Sequence, residues 1–330
     1  MLERKVCHYD HQAMGTYFEV FIAERDEDYS RSAARAFFKE IDRLEKLFSR
    51  FDPSSELSMI NRLLPGKLLM VGVETYECLK VSFELMRETE GAFNINFRAV
   101  KDKKKSGLPD KKESGLEKVG EKVERKLSAD AEALNSRLIY SGETESEEFW
   151  LKLFPLELAQ TESGYLAFRL DVPDAQLDLD LGAIGKGYAV EKAAEIFKDW
   201  EIDDFLINAG QSTVYGQGRK PWPVAVGGGF DFFKPGRIFL ERRALSGSGK
   251  EVKGEHIFDP RLNQARSKHL AVWASHFSPA LADGLSTAFM VMSLDEIKGY
   301  AEKHSEVWTL VLTRDKNSYL FNPMDSYEKG

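Results

Sequence analysis

The sequence predicts an α+β fold in a single domain, and three observations carry that expectation. A 3.6-residue apolar period occupies about 28–48, a hairpin pattern stands at 156–170, and strand-like and helix-like runs alternate beyond 177 without an internal repeat. Taken in order, TYFEVFIA at 16–23 is rich in strand formers and follows the turn signal Met14-Gly15. The helix after it places Ala33, Ala34, Phe37, Phe38, Ile41, Leu44, Leu47 and Phe48 on one face. A second helix over about 74–90 turns Leu79, Phe83 and Met86 inward and stops at Gly91. Residues 101–126 hold ten basic and six acidic residues with three Gly and one Pro. That run reads as a solvated insertion reaching to about 150, with a basic docking surface as the functional alternative. Apolar runs at 156–159 and 165–170 flank Glu162-Ser163-Gly164 as a hairpin. A strand is expected near 177–181, a helix over 186–199, a strand at 204–208, and Gly-rich strands beyond. A helix over 279–292 and strands at 307–313 and 318–321 close the chain.

Composition narrows the function. At 330 residues the chain is long enough to bury roughly 75% of its unfolded surface, so it needs no covalent or metal staple. Lys and Arg number 46 against 54 Asp and Glu, and the net charge of −8 argues against a general nucleic-acid binder. Two cysteines, Cys7 and Cys78, supply neither a disulfide framework nor a Cys-rich zinc site. No run approaches the ~18 apolar residues that span a bilayer, and the N-terminus lacks the apolar stretch of a signal peptide. Cys7 reads as a thiol in a disordered start rather than a lipidated cysteine. The expected location is the cytoplasm, although a cell-envelope protein shorn of its export signal would read the same way.

Three stretches carry chemistry. In LDLDLGAIGKGYAV at 177–190, an apolar strand with Asp178 and Asp180 enters Gly182, Gly185 and Gly187 before a helix. Glycines let backbone N–H groups approach an anion, the helix start adds partial positive charge, and Lys186 reaches outward. Neither the P-loop nor the Rossmann spacing fits, and a tight turn with a solvated lysine explains the same residues. In ADGLSTA at 282–288, Asp283 and Thr287 stand at i and i+4, with Ser286 beside them. Those oxygens suit a hard cation such as Mg²⁺; the plainer alternative is a helix N-cap at Asp283. In HIFDPR at 256–261, His256 is either a general base or a satisfied histidine. His269, His276 and His304 share no ligand spacing with it, which disfavours zinc. Small residues in INAGQS at 207–212 and SGSG at 246–249 offer backbone donors for a ligand, or ordinary turns.

Read together, Met14-Gly15-Thr16, SRFDPSSELSMIN at 49–61, EGAFNINF at 90–97 and the motifs just named make the chain resemble the ApbE family of flavin transferases. The resemblance spans about 270 residues in the family's order. It implies mixed α/β layers with largely antiparallel sheets around one catalytic domain, carrying the insertion at about 101–150. It also implies Mg²⁺-dependent transfer of the FMN half of FAD to a Ser or Thr hydroxyl of an acceptor protein, with release of AMP. The alternatives are an FAD pyrophosphatase giving FMN and AMP, or an FAD-binding protein without turnover. Acceptors of the family tend to be electron-transfer subunits with a D-x-x-[ST]-G-x-[ST]-like motif. By the resemblance Met14, Phe51, Ala92, Phe93, Asn94, Asp180, Lys186 and Ile257 contact FAD. The Ala183 carbonyl, Asp283 and Thr287 hold the metal, Ser286 stands where some members carry another acidic ligand, and His256 assists deprotonation of the acceptor.

The chain also departs from the family pattern. Asn94-Ile95-Asn96 replaces Asp-x-Thr, Gln211 stands where a glycine is usual, Gly247 replaces a threonine, and Leu262-Asn263 replaces Thr-Gly. Asn94 keeps hydrogen-bonding capacity but loses a charge, so FAD binding is expected to survive. Restoring Asp, alone or paired with Asn96→Thr, is expected to speed transfer.

Overall fold

The computed structural model describes residues 5–102, 154–161, 164–172, 175–249, 258–262 and 264–330. The charged stretch expected as an insertion at about 101–150 therefore falls, beyond residue 102, outside the described residues, as do His256 and Ile257. Two strands, β1 (Val6–Ala13) and β2 (Thr16–Ala23), form a hairpin whose turn residues Met14 and Gly15 both take positive φ. The thiol expected in a disordered start sits inside β1 instead, because VCHYDHQA pairs along its whole length with β2. Its polar alternation hides the strand from a reading based on hydrophobicity.

Helix α1 (Glu27–Phe48) starts where the Asp26 carboxylate accepts the N–H groups of Asp28 and Tyr29. It buries Phe37, Phe38, Ile41 and Leu44, each contributing roughly 1.5–3 kcal/mol. Then come α2 (Glu56–Asn61), β3 (Leu68–Val71), α3 (Val73–Glu88) and α4 (Phe97–Asp102). The expected hairpin is β4 (Leu156–Thr161) and β5 (Gly164–Arg169), with β3 as a third strand on β5. The expected helix over 186–199 is two pieces, α5 (Gly185–Ala194) and α6 (Ile196–Asp199). Strands β6 (Phe205–Ala209), β7 (Thr213–Gln217), β8 (Trp222–Val226), β9 (Gly236–Leu240) and β10 (Arg243–Gly249) follow. After β11 (Phe258–Asp259), β12 (Gln264–Ala265) and β13 (His269–His276), the chain enters α7 (Pro279–Phe289) and α8 (Leu294–Lys303). It ends in β14 (Trp308–Thr313), β15 (Ser318–Phe321) and β16 (Tyr327–Glu328).

Eight strands form one antiparallel sheet in the order β1-β2-β6-β7-β10-β13-β14-β15. Alternation along its strands serves two cores. Phe18, Val20, Ile207, Val272 and Val311 meet the helices α1, α5 and α7 on one face. Leu245, Trp308 and Leu310 meet the small sheet β16-β9-β8 on the other. The mixed helix and antiparallel-sheet architecture is thus the one the resemblance implied.

The segment at 177–181 differs from expectation: it is extended but joins no ladder. Two buried or half-buried amides replace strand partners. Asn61 pairs with both backbone groups of Leu179, at 3.0 and 2.7 Å, and Asn96 accepts the Asp178 N–H at 2.8 Å while donating to the Gln176 carbonyl at 2.9 Å. The Asp180 N–H donates to the Ile95 carbonyl at 2.8 Å. The segment leading into the glycine turn is therefore pinned on both sides, as buried backbone requires.

Candidate active site

Helices α5 and α7 touch at the centre of the site. A Cβ on Gly187 would lie 2.2 Å from the Pro279 carbonyl oxygen and 2.8 Å from Asp283 Cβ, so only glycine permits this approach. The approach aims the Gly187 N–H at Asp283 Oδ2, 3.1 Å away. Lys186 Nζ lies 3.5 Å from the same oxygen and 3.2 Å from the Gly182 carbonyl. The lysine side chain is only 12% exposed, which overturns the reading of a solvated lysine on a plain turn. Asp283 is no N-cap either. Ser278 caps α7, accepting the Leu281 N–H, with Pro279 in the first turn, and Asp283 stands mid-helix at 4% exposure.

Asp283 Oδ1 has a different neighbourhood. Ser246 Oγ on β10 lies 3.3 Å from it, 2.8 Å from the Ser212 carbonyl, 3.1 Å from the Thr213 hydroxyl and 3.3 Å from the Ser286 hydroxyl. Ser248 continues the hydroxyl chain, 2.9 Å from Ser286. A serine has one proton to give, and the shorter contact to Ser212 is the better bond. Oδ1 therefore keeps lone pairs that no strong donor claims. Thr287, one turn on, bonds back to the Asp283 carbonyl at 3.4 Å and leaves its oxygen on the same face. Ala183 is half-buried in the turn that opens α5.

This donor set fits Mg²⁺. It offers one carboxylate and one hydroxyl, to which the resemblance adds the Ala183 carbonyl, all hard oxygens, and no trio of His, Cys, Asp or Glu able to hold a metal stands among the described residues. A cation here would be completed by water and phosphate oxygens, which is how Mg²⁺ usually binds.

On the other side of the turn, Arg50 bridges two carboxylates, 3.0 Å from Asp178 and 3.1 Å from Asp180. Arg98 adds longer contacts of 3.4 and 3.7 Å to the same pair. Asp180 also accepts the Gly182 N–H at 2.9 Å, so the FAD position suggested by resemblance shapes the glycine turn as well. Sequence reading missed both arginines. The available signal was the pair of acids at alternate positions in an apolar segment, which demands cations when half-buried.

The remaining positions divide. Phe51 is 88% exposed beside the Arg50 guanidinium, free to meet a ligand ring. Phe93 is 1% exposed and Ala92 is also buried. The Phe93 ring packs in the core beneath Gly284, which leaves its main chain as its means of contact. Asn94 is buried, its Oδ1 accepting the Asn96 N–H at 2.7 Å, while its Nδ2 has no protein partner. Met14 packs half-buried at the β1–β2 turn, in the left-handed region. Phe258, two residues past His256, lies against Phe97 with ring centroids 6.0 Å apart, which brings the described end of HIFDPR beside the Asn94–Asn96 turn. Arg261 anchors that end, pairing with buried Asp259 at 3.2 Å and with Glu296 of α8 at 2.6 Å.

One departure acquires a physical reason, and another sits in a conformation that favours the usual residue. A Cβ at Gly247 would sit 2.9 Å from Trp273 Nε1, the direct cross-strand neighbour, so a threonine does not fit there. Gln211 holds φ +60 at the β6–β7 turn, the left-handed conformation that a glycine adopts without strain.

With this geometry in hand, the comparisons are consistent with one another. The model of the ApbE family matches residues 14–311. A protein named FAD:protein FMN transferase from Klebsiella pneumoniae (strain 342) is 24% identical over 299 residues, covering 86% of this chain and 77% of its own. Its namesake from Vibrio cholerae serotype O1 is 22% identical over 326 residues, covering 93% and 88%. Among solved structures, the apo form of the Pseudomonas stutzeri flavinyl transferase ApbE superposes with a TM-score of 0.70 at 20% identity, covering 97% of each chain.

Proposed function

The chain belongs to the ApbE family, and from that premise we propose that it is an FAD:protein FMN transferase. It moves the FMN half of FAD to a Ser or Thr hydroxyl of an acceptor protein, with Mg²⁺, and releases AMP. The observation that supports this most is the buried Asp283 carboxylate. One of its oxygens is held by Lys186 and the Gly187 N–H, and the other keeps capacity for a cation.

In this reading Asp283, the Thr287 hydroxyl and the Ala183 carbonyl hold Mg²⁺. The ion supplies neutralisation of pyrophosphate charge when bound. Lys186 and the N-terminus of α5 face the same phosphates from the glycine turn. The acceptor oxygen attacks the flavin-side phosphorus, the bond to the adenylate phosphate breaks, and AMP leaves with that bond's electron pair. His256 takes the hydroxyl proton, a contribution of roughly 10²–10⁴-fold. Phe51 and the main chain at 92–94 hold the flavin nucleotide, with Met14, Asp180 and Ile257 completing the contacts. The acceptor carries a D-x-x-[ST]-G-x-[ST]-like motif.

The test is incubation with FAD, Mg²⁺ and a domain bearing that motif, read by in-gel flavin fluorescence and by AMP release. A fluorescent acceptor band with matching AMP, both lost on chelation, is expected. FMN and AMP without a labelled acceptor would make the enzyme a pyrophosphatase.

A further inference from the structure

We propose that the open edge of β1, together with the basic ridge of α1 beside it, is the docking strip for an extended acidic segment of the acceptor protein, which joins the sheet as an added strand. The proposal rests on the transfer reading for the identity of its occupant.

Strand β1 ends the eight-stranded sheet, so among the described residues one of its sides pairs with no strand. Between that side and α1 lies a groove of about 520 Å³. Four consecutive residues, His8 to His11, line it. Side chains of successive strand residues point to opposite faces, so a run of four means the groove's wall is the strand's own edge. Its floor is apolar, with Ala34 and Phe38 of α1, and its far rim is Arg31, Arg35 and Lys39. Those three stand at i, i+4 and i+8 and form one line along the helix. Arg31 is engaged by Glu27 and Asp28 at the near end, and His11 with Asp42 closes the other. Arg35 and Lys39 are exposed and have no ion-pair partner among the described residues. Asp10 in the wall is exposed and likewise has no ion-pair partner among the described residues. Two uncommitted cations thus stand against one uncommitted carboxylate, and in a chain of net charge −8 the net positive strip favours an anionic occupant.

The strip also leads to the reactive cluster. Strand β1 runs into Met14 and Thr16, and Thr16 packs so closely on Gly210 that a Cβ there would overlap its side chain. Gly210 belongs to the turn whose Ser212 carbonyl receives the Ser246 hydroxyl beside Asp283. A segment laid along β1 thus delivers the residues that follow it toward the site. Backbone hydrogen bonds give such an added strand affinity without regard to sequence, and alternate acidic side chains facing Arg35 and Lys39 give it selectivity.

The experiment uses a dye-labelled peptide of alternating Glu and Val, about as long as β1, with anisotropy read in the absence of FAD. Two counterparts accompany it, one with Lys for Glu and one with alternate backbone amides N-methylated. The full chain should bind the Glu peptide more weakly as salt rises, and neither counterpart. The double variant Arg35→Glu/Lys39→Glu should bind about tenfold more weakly. In the transfer assay it should raise the acceptor KM by a similar factor, leaving kcat and FAD affinity unchanged. Equal binding by the variant or by the N-methylated peptide overturns the proposal. So does a wild-type dimer that the double substitution dissolves, which would assign the strip to a second copy. If wild type labels no acceptor at all, the transfer reading has failed, while the binding arm still decides the strip.

Discussion

Two acid–cation clusters flank the same glycine turn and differ in how much water they keep. On the helix side the Asp283 and Lys186 side chains are 5% and 12% exposed. On the strand side Arg50, Asp178, Asp180 and Arg98 range from 18% to 43%. The strand-side cluster is balanced, two carboxylates against two guanidiniums, and solvent screens what remains. The helix-side cluster is balanced in charge but not in hydrogen bonding, because Asp283 Oδ1 is under-used. The difference separates two environments: a neutralised frame that fixes the turn, and a buried carboxylate with capacity held in reserve.

The largest test breaks the helix side. Asp283→Ala should reduce FAD turnover by more than about 10²-fold, the scale of losing one positioned charge-stabilising group. Circular dichroism should show the fold intact, and Thr287→Ala should cost less. Wild-type AMP release from Asp283→Ala at low Mg²⁺ would remove the carboxylate from the metal site.

Asn94 comes next, since its turn is tied to the strand side through Ile95 and Asn96. The geometry argues against the expectation that an aspartate there would speed transfer. With Oδ1 committed to Asn96, the buried Nδ2 is a donor without a protein partner, and in the proposed reading it serves the FAD. Asn94→Asp would replace it with a buried acceptor, so FAD binding should weaken about tenfold, the cost of one mismatched buried polar group. Titration by flavin fluorescence decides, and unchanged or tighter binding would show that the ligand donates at this point.

Arg50→Ala strikes the frame itself. Half-exposed pairs of this kind contribute ~1 kcal/mol or less, so the FAD KM should rise about fivefold. Added salt should shrink that difference by screening the pair in wild type. A defect in Arg50→Ala that salt leaves untouched would place the guanidinium in the buried class.

The smallest effect concerns a third carboxylate, of intermediate exposure. Burial opposes ionisation of Glu296, yet the N–H and hydroxyl of Ser293 and the Arg261 guanidinium hold its pKa at about 2, down from 4.5. A depressed folded-state pKa contributes stability above the ordinary value and loses it as pH falls from 4.5 through about 2. Glu296→Gln should therefore flatten the acid limb of the stability profile in that window, as read by denaturant melts at stepped pH. An acid limb identical to that of wild type would show that Arg261 does not depend on this partner.

What could be read from the sequence follows from what each residue needs. Helix α1 was legible because its apolar period is long, and the Asp283/Thr287 face because i, i+4 spacing fixes geometry once the helix is granted. The 177–181 segment was misread as a ladder strand because its partners are the side chains of Asn61 and Asn96, more than 80 residues away. No local pattern reports an amide clamp. Arg50 was hidden inside a motif read for its other residues, and Arg98 lay outside every motif, although each owes its place to two acids far along the chain. The spare capacity of Asp283 depends on where one serine proton goes, which only coordinates reveal.

The pairing of β2 with β6 has a consequence for synthesis. Phe18, Val20 and Ile22 emerge early as an apolar strand, yet the partner that completes their sheet lies at 205–209. At ordinary elongation rates that partner arrives roughly 10–40 seconds later. During the wait the β1–β2 hairpin and α1 present an unpaired apolar edge, the kind of surface that recruits other chains. Nascent copies on crowded ribosomes should therefore depend on chaperone holding through that interval, and arrest of translation between residues 23 and 205 should be the point at which the protein is most prone to aggregate.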